Sequence, residues 1–176
     1  STSDWFYDDV AFVYKNGLFS GTDSRSFSPN ASMTRAMLVT VLYRLEGEPT
    51  VTGRSSFTDV RSGAYYEKSV IWAAANGIVT GTDSTSFSPD AKVTREQLAA
   101  ILYRYAQYRK LDTDASAKLN SFTDADSVSA YASEALGWAV SEGLINGASG
   151  KLMPKGDATR AQVAAILHRL VKNVLN

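Results

Sequence analysis

The sequence predicts an all-α, mainly helical protein built from three helix–loop–helix repeats around a central bundle of three helices. Three observations predict it. A glycine-to-arginine block recurs as "GTDSRSFSPNASMTR" from Gly21, "GTDSTSFSPDAKVTR" from Gly81 and "GASGKLMPKGDATR" from Gly147. A second block precedes each: "WFYDDVAFVYKNGLFSG", "YYEKSVIWAAANGIVTG" and "YASEALGWAVSEGLING". Apolar residues in both blocks recur at helical spacing.

In the first helix of each repeat the apolar positions are Val10, Val13, Tyr14; Val70, Ala73, Ala74; and Leu136, Ala139, Val140. Each helix is predicted to stop at Gly17, Gly77 or Gly143, where glycine takes the left-handed position after a helix cheaply. A turn rich in Ser, Asp, Gly and Pro follows. The second helix starts behind Thr34, Thr94 or Thr159 as N-cap. Gln97 and Gln162 complete a capping box; Met37 stands in that place in the first repeat, so the box is absent there. "LVTVLYRL", "LAAILYRY" and "VAAILHRL" are apolar around most of the helix, which calls for burial on several sides. Packing these three together, with the first helices and loops outside, is the simplest solution. The repeats span 1–50, 56–110 and 121–176, with polar linkers near 47–56 and 107–121. "SFTDV" and "SFTDA" open the second and third repeats. Phe57 and Phe122 are expected to plug the core, and Asp59 and Asp124 to start a turn or cap.

Composition narrows the function. The chain has 176 residues and is 44% hydrophobic, enough for a real core. Eighteen basic and 18 acidic residues balance, which argues against nucleic acid as partner. There is no cysteine, hence no disulfide, thiolate metal site or cysteine nucleophile. His168 is the one histidine, so a multi-histidine metal site is excluded and no cofactor is expected. Its neighbours in register, Tyr43 and Tyr103, suggest a partly buried helix residue. No apolar run reaches the roughly 18 residues of a membrane span. The chain opens on "STSDWF", without a visible signal peptide, and reads as a mature or excised fragment.

Arg35, Arg95 and Arg160 each occupy the first position of a helix. That end already carries about half a unit of positive charge, and a cation there is mildly unfavourable. Three repetitions ask for a reason. A helix N-terminus offers unpaired N–H groups to an anion, and arginine adds a planar fork that fits a carboxylate. Glycines 21, 81 and 147 would let a ligand approach the backbone. Trp5, Tyr65 and Tyr131 could stack on a sugar face. The alternatives are structural: the arginines pair with Asp or Glu of neighbouring repeats, and the three aromatics are core, which composition alone favours. Arg44, Arg104 and Arg169 also repeat, but near helix C-termini, where a cation is favourable for the helix itself. The "GTDS" turns hold too few carboxylates for a calcium loop, and Asp23 and Asp83 read as turn formers. No acidic pair recurs in a setting suited to glycoside hydrolysis, so the chain is not expected to be an enzyme.

The pattern resembles three tandem S-layer homology (SLH) domains over nearly the whole chain. The motifs are the initial aromatic, "NG" followed by two apolar residues, the "D-x-x-S-F-S-P" turn, and a TRAE-like start: Thr34-Arg35-Ala36-Met37, Thr94-Arg95-Glu96-Gln97 and Thr159-Arg160-Ala161-Gln162. The resemblance implies a pseudo-threefold arrangement with ligand grooves between adjacent repeats. It also implies non-covalent attachment of a bacterial surface protein to the cell wall, outside the cell and without membrane insertion. The implied ligand is a secondary cell wall polysaccharide carrying pyruvylated N-acetylmannosamine, with peptidoglycan as a further wall partner. By motif match the ligand-binding residues are Arg35, Arg95 and Arg160, with backbone donors near Gly21, Gly81 and Gly147. Trp5, Tyr65 and Tyr131 would line or stack in the grooves. A structural or self-association module is the alternative.

Three departures matter. Repeat 1 lacks the "F-x-D" that opens the others, so its edge reads as truncated. Met37 replaces the usual acid or amide. The loop of repeat 3 is one residue shorter, with Lys151 and Lys155 in it and Leu152 in place of Phe27 or Phe87. The groove at the repeat 3–repeat 1 closure is therefore expected to be the weakest, with two sites working rather than three.

Overall fold

The computed structural model describes residues 3–22 and 26–175. Its α-helices are α1 (Tyr7–Lys15), α2 (Arg35–Leu45), α3 (Glu67–Ala75), α4 (Arg95–Tyr108), α5 (Ser133–Ser141) and α6 (Arg160–Leu170). Short 3-10 turns lead into α5, and a π-turn, Val171–Leu175, follows α6. Among the described residues there is no strand, so the protein is all-α as predicted.

The helix ends follow the local rules. Gly17, Gly77 and Gly143 take φ of +67°, +69° and +66° just beyond α1, α3 and α5. Thr34, Thr94 and Thr159 accept from the N–H three residues on, and capping boxes form only at Thr94 and Thr159. No helix among the described residues is long and apolar enough to cross a membrane.

The repeats interlock. Met33 N–H donates to Ala158 O, Ala158 N–H to Val93 O, and Val93 N–H to Met33 O, at 2.8–2.9 Å. These three buried residues precede the three second helices, so a closed ring of hydrogen bonds ties the helix N-termini together. The close helix pairs run between repeats: α3 on α2, α5 on α4, and α1 on α6. Each second helix therefore takes its close partner from the first helix of another repeat, rather than lying against its two sisters along its length. Aromatic contacts mark the same three seams. Trp72 lies 5.7 Å from Tyr43, Trp138 lies 5.6 Å from Tyr103, and Phe12 stacks on His168 at 4.1 Å. His168 is partly buried, as expected, and its Nδ1 lies 2.8 Å from Asp9 Oδ1. The apolar faces of α2, α4 and α6 are buried nearly all round; Leu38, Leu42, Leu98, Leu102, Val163 and Leu167 are fully enclosed.

Candidate functional site

The start of each second helix is not an open anion cradle. Arg35 N–H donates to Ala91 O and Ala36 N–H to Pro89 O. The same two bonds recur from Arg95 and Glu96 to Gly156 and Pro154, and from Arg160 and Ala161 to Ala31 and Pro29. The third N–H goes to the capping threonine. The orphan donors of the helix terminus are thus consumed by the neighbouring repeat's loop, and the expectation of unpaired N–H groups for a ligand is corrected.

The arginine side chains reach the same loops. Arg35 Nε donates to Phe87 O at 2.8 Å and Nη2 to Thr80 O at 2.7 Å. Arg160 Nε donates to Phe27 O at 2.8 Å and Nη2 to Ser20 O at 2.7 Å. Both guanidinium groups lie over phenylalanine rings, Phe87 at 4.7 Å and Phe27 at 4.6 Å. Arg95 makes a longer bond to Met153 O, 3.4 Å, and one to Gln162 Oε1 at 3.1 Å. None of the three pairs with a carboxylate among the described residues. The arginines do bind neighbouring repeats, but through backbone carbonyls instead of Asp or Glu. Arg35 and Arg160 are only 8% and 5% exposed, and burial pushes their pKa down, with Arg104 adding to the effect on Arg35. Neither buried cation is ion-paired to a carboxylate among the described residues, although Asp59 lies near enough to Arg35 to oppose the shift.

The loop that receives Arg35 is held from behind. Asp59 accepts from Phe87 N–H and Ser88 N–H at 2.8 and 2.7 Å, while the carbonyl of Phe87 faces Arg35. Ser88 has φ of +57°, an unfavoured conformation for serine that this clamp fixes. Asp124 does the same for Leu152 and Met153. Against the cost of its desolvation, those two N–H groups hold the Asp124 carboxyl below its ordinary pKa. Asp59 and Asp124 thus clamp a loop 28 and 29 residues further on, and Asp124, at the N-cap of a 3-10 turn, makes no side-chain cap bond of the kind expected. Asp83 closes its own turn by accepting from Thr85 and Ser86 N–H; Asp23 lies outside the described residues.

The glycines serve their own loops first. A Cβ on Gly81 would stand 2.3 Å from Asp83 O, and one on Gly147 would stand 2.6 Å from Lys151 O. Each would also meet the ring of Phe57 or Phe122 at 2.8 Å, so these phenylalanines pack directly beneath the glycines. The expectation that glycine is there to admit a ligand is corrected for Gly81 and Gly147. Their N–H groups nonetheless have no partner among the described residues and remain available as donors.

The three initial aromatics are not core. Trp5, Tyr65 and Tyr131 are 66%, 64% and 56% exposed. Trp5 and Tyr65 each stand at a groove that draws on all three repeats. One groove, of about 390 Å³, is lined by Gly21 and Arg44 of repeat 1, Tyr65 of repeat 2 and Arg160 of repeat 3. Another, of about 260 Å³, joins Gly147 and Arg169 of repeat 3 to Trp5 of repeat 1 and Arg95 of repeat 2. In the third seam Arg104 and Tyr131 both lie near enough to Arg35 to act on its pKa, the first lowering it and the second raising it.

Sequence reasoning assigned Arg44, Arg104 and Arg169 to helix termini alone. In fact Arg44 and Arg169 line grooves, with Nη1 on Leu18 O at 3.2 Å and on Leu144 O at 3.1 Å. The signal was in the spacing. Each follows a signature arginine by nine residues (35 to 44, 95 to 104, 160 to 169). At 3.6 residues per turn that is two and a half turns, or the opposite side of the helix. One second helix therefore gives a cation to each of two grooves. No cluster of metal-ligating side chains occurs among the described residues.

Residues 1–36, 56–99 and 121–164 each match the S-layer homology domain. The chain is 30% identical to an endoglucanase of Bacillus sp. (strain KSM-635), over 97% of this chain and 18% of the enzyme. It is 31% identical to the surface-layer 125 kDa protein of Lysinibacillus sphaericus, over 90% of this chain and 13% of that protein. It is 26% identical to a cellulosome-anchoring protein of Acetivibrio thermocellus, over 58% of this chain and 24% of that protein. The chain thus spans under a quarter of the length of each of these relatives. It belongs to the S-layer homology domain family, as three successive repeats of an extracellular module associated with the cell wall.

Proposed function

We propose that the chain anchors a bacterial surface protein non-covalently to the cell wall, by binding an acidic secondary wall polysaccharide of the pyruvylated N-acetylmannosamine type in the grooves between repeats. The observation that carries this reading is the pair of buried guanidinium groups with no ion-paired carboxylate among the described residues, each beside a second arginine and an exposed aromatic. A ketal carboxylate would supply the missing charge, and the aromatic would cover a sugar face. The chain as a whole has no net charge, so this positive potential belongs to the grooves and suits single carboxylates taken one per groove rather than the dense phosphate charge of a nucleic acid. An endoglucanase and a surface-layer protein both contain a segment similar to this one within a much longer chain, which fits attachment better than catalysis. The repeats themselves have no catalytic part in this reading.

Sedimentation with purified wall tests it. The protein is expected to co-sediment with wall that keeps its pyruvyl ketals and to stay in solution after mild acid removes them. Binding should also weaken well below neutral pH, as the ligand carboxylate takes up a proton. Equal sedimentation with both wall preparations would contradict carboxylate recognition.

A further inference from the structure

Resting on the reading of the grooves as carboxylate sites, we infer that the groove between Trp5 and Arg95 is the dominant one, and that Leu152 and Gly156 make it so by leaving Arg95 unclamped. Arg35 and Arg160 each hold two backbone carbonyls at 2.7–2.8 Å and lie over a phenylalanine ring. To turn toward a ligand, either would leave two carbonyls in a buried setting without a donor. Arg95 is held differently. Leu152 stands where Phe27 and Phe87 stand in the other loops, so no ring lies beneath its guanidinium. Its bonds go instead to Met153 O at 3.4 Å and to Gln162 Oε1, which already accepts from Thr159 N–H.

Gly156 supplies the room. It aligns with Ala31 and Ala91, and a Cβ there would stand 2.3 Å from Arg95 Nη1. Its φ is not in the left-handed region, so the backbone does not require glycine. What the glycine permits is the position of the arginine. Arg95 can therefore present a whole edge of its fork to a carboxylate, opposite Arg169, whereas Arg35 and Arg160 offer mainly Nη1. Trp5 completes this groove with the largest exposed aromatic face of the three. At the third seam the Tyr131 hydroxyl is occupied by Glu96 at 3.2 Å, which brings a carboxylate toward the Arg35 side. The groove that sequence comparison ranks last becomes the first.

The test is calorimetric titration of the whole chain with a 4,6-pyruvylated N-acetylmannosamine glycoside. Gly156→Ala is expected to weaken the tightest site by about tenfold or more, the loss of one charge-assisted hydrogen bond. Trp5→Ala, at an exposed residue that does not endanger folding, should weaken it by a similar factor, and Tyr65→Ala by less than about threefold. The Trp5/Tyr65 pair decides the matter if Gly156→Ala fails to fold. Undiminished affinity in Gly156→Ala, or equal losses from Trp5→Ala and Tyr65→Ala, would overturn the inference alone. No binding by the unaltered protein would overturn the wall-anchor reading and this inference with it.

Discussion

Arg160→Ala is expected to lower folding stability by about 2–4 kcal/mol, and Arg35→Ala by a similar amount. The loss comes from the neighbouring repeat. Removing the Arg160 guanidinium strips donors from Phe27 O and Ser20 O and uncovers the rings of Phe19 and Phe27. Removing Arg35 does the same to Phe87 O and Thr80 O. Arg95→Ala, which loses one long bond and one bond to a side chain, should cost about 1 kcal/mol or less. Denaturant unfolding checks the order. If all three substitutions were equally mild, the arginines would be ligand groups only, and their bonds to the loops incidental. The order also governs how binding data are read: a loss of affinity in Arg35→Ala or Arg160→Ala mixes an altered loop with a missing ligand contact. Arg95→Ala separates the two.

Glu96 is expected to give the second large effect. Its buried carboxylate accepts from Ser129 N–H at 3.0 Å, Ser129 Oγ at 2.9 Å, Tyr131 OH at 3.2 Å and Lys155 Nζ at 2.7 Å. Ala36 and Ala161 hold the equivalent positions, so this cluster is private to the joint between repeats 2 and 3. Glu96→Ala should destabilise the protein by about 1–3 kcal/mol, since half-buried Ser129 and the more exposed Tyr131 and Lys155 all lose one shared buried acceptor. Burial alone would raise the Glu96 pKa, but the bonds from Lys155 and Ser129 outweigh it and hold the pKa below its ordinary value of 4.5. A lowered folded-state pKa means that the stabilisation is fully present above the ordinary value and is lost as pH falls through the lowered one. Unfolding followed from pH 6 down to pH 3 should therefore show wild type losing more stability than Glu96→Gln. Parallel losses would mean that the cluster is not formed in solution.

The repeat, the helix boundaries and the caps were legible in the sequence because they rest on local chemistry. Glycine tolerates positive φ, threonine caps, and apolar residues at helical spacing demand a buried face. The partners of those elements were not legible. Nothing local says that Arg35 will reach Phe87 and Thr80 of the next repeat, or that α1 will close on α6. The reading of the helix N-terminus as an anion cradle failed for that reason. Its donors are free in an isolated repeat and are taken only when the repeats interlock through Ala91, Gly156 and Ala31. The aromatics were ambiguous too, since composition cannot tell a core tyrosine from one standing at a groove. Arg44 and Arg169 could have been found from their nine-residue offset, a cation repeated on the far side of an otherwise apolar helix.

The most direct measurement compares calorimetric titration of the 4,6-pyruvylated N-acetylmannosamine glycoside with the same glycoside lacking the ketal. If the grooves read an anionic sugar through their arginines, the ketal form binds and the neutral form is weaker by about tenfold or more, the contribution of a charge-assisted contact. Equal affinity for the two would contradict it, and would leave the arginines as clamps between repeats and the exposed aromatics as the sugar-binding surface.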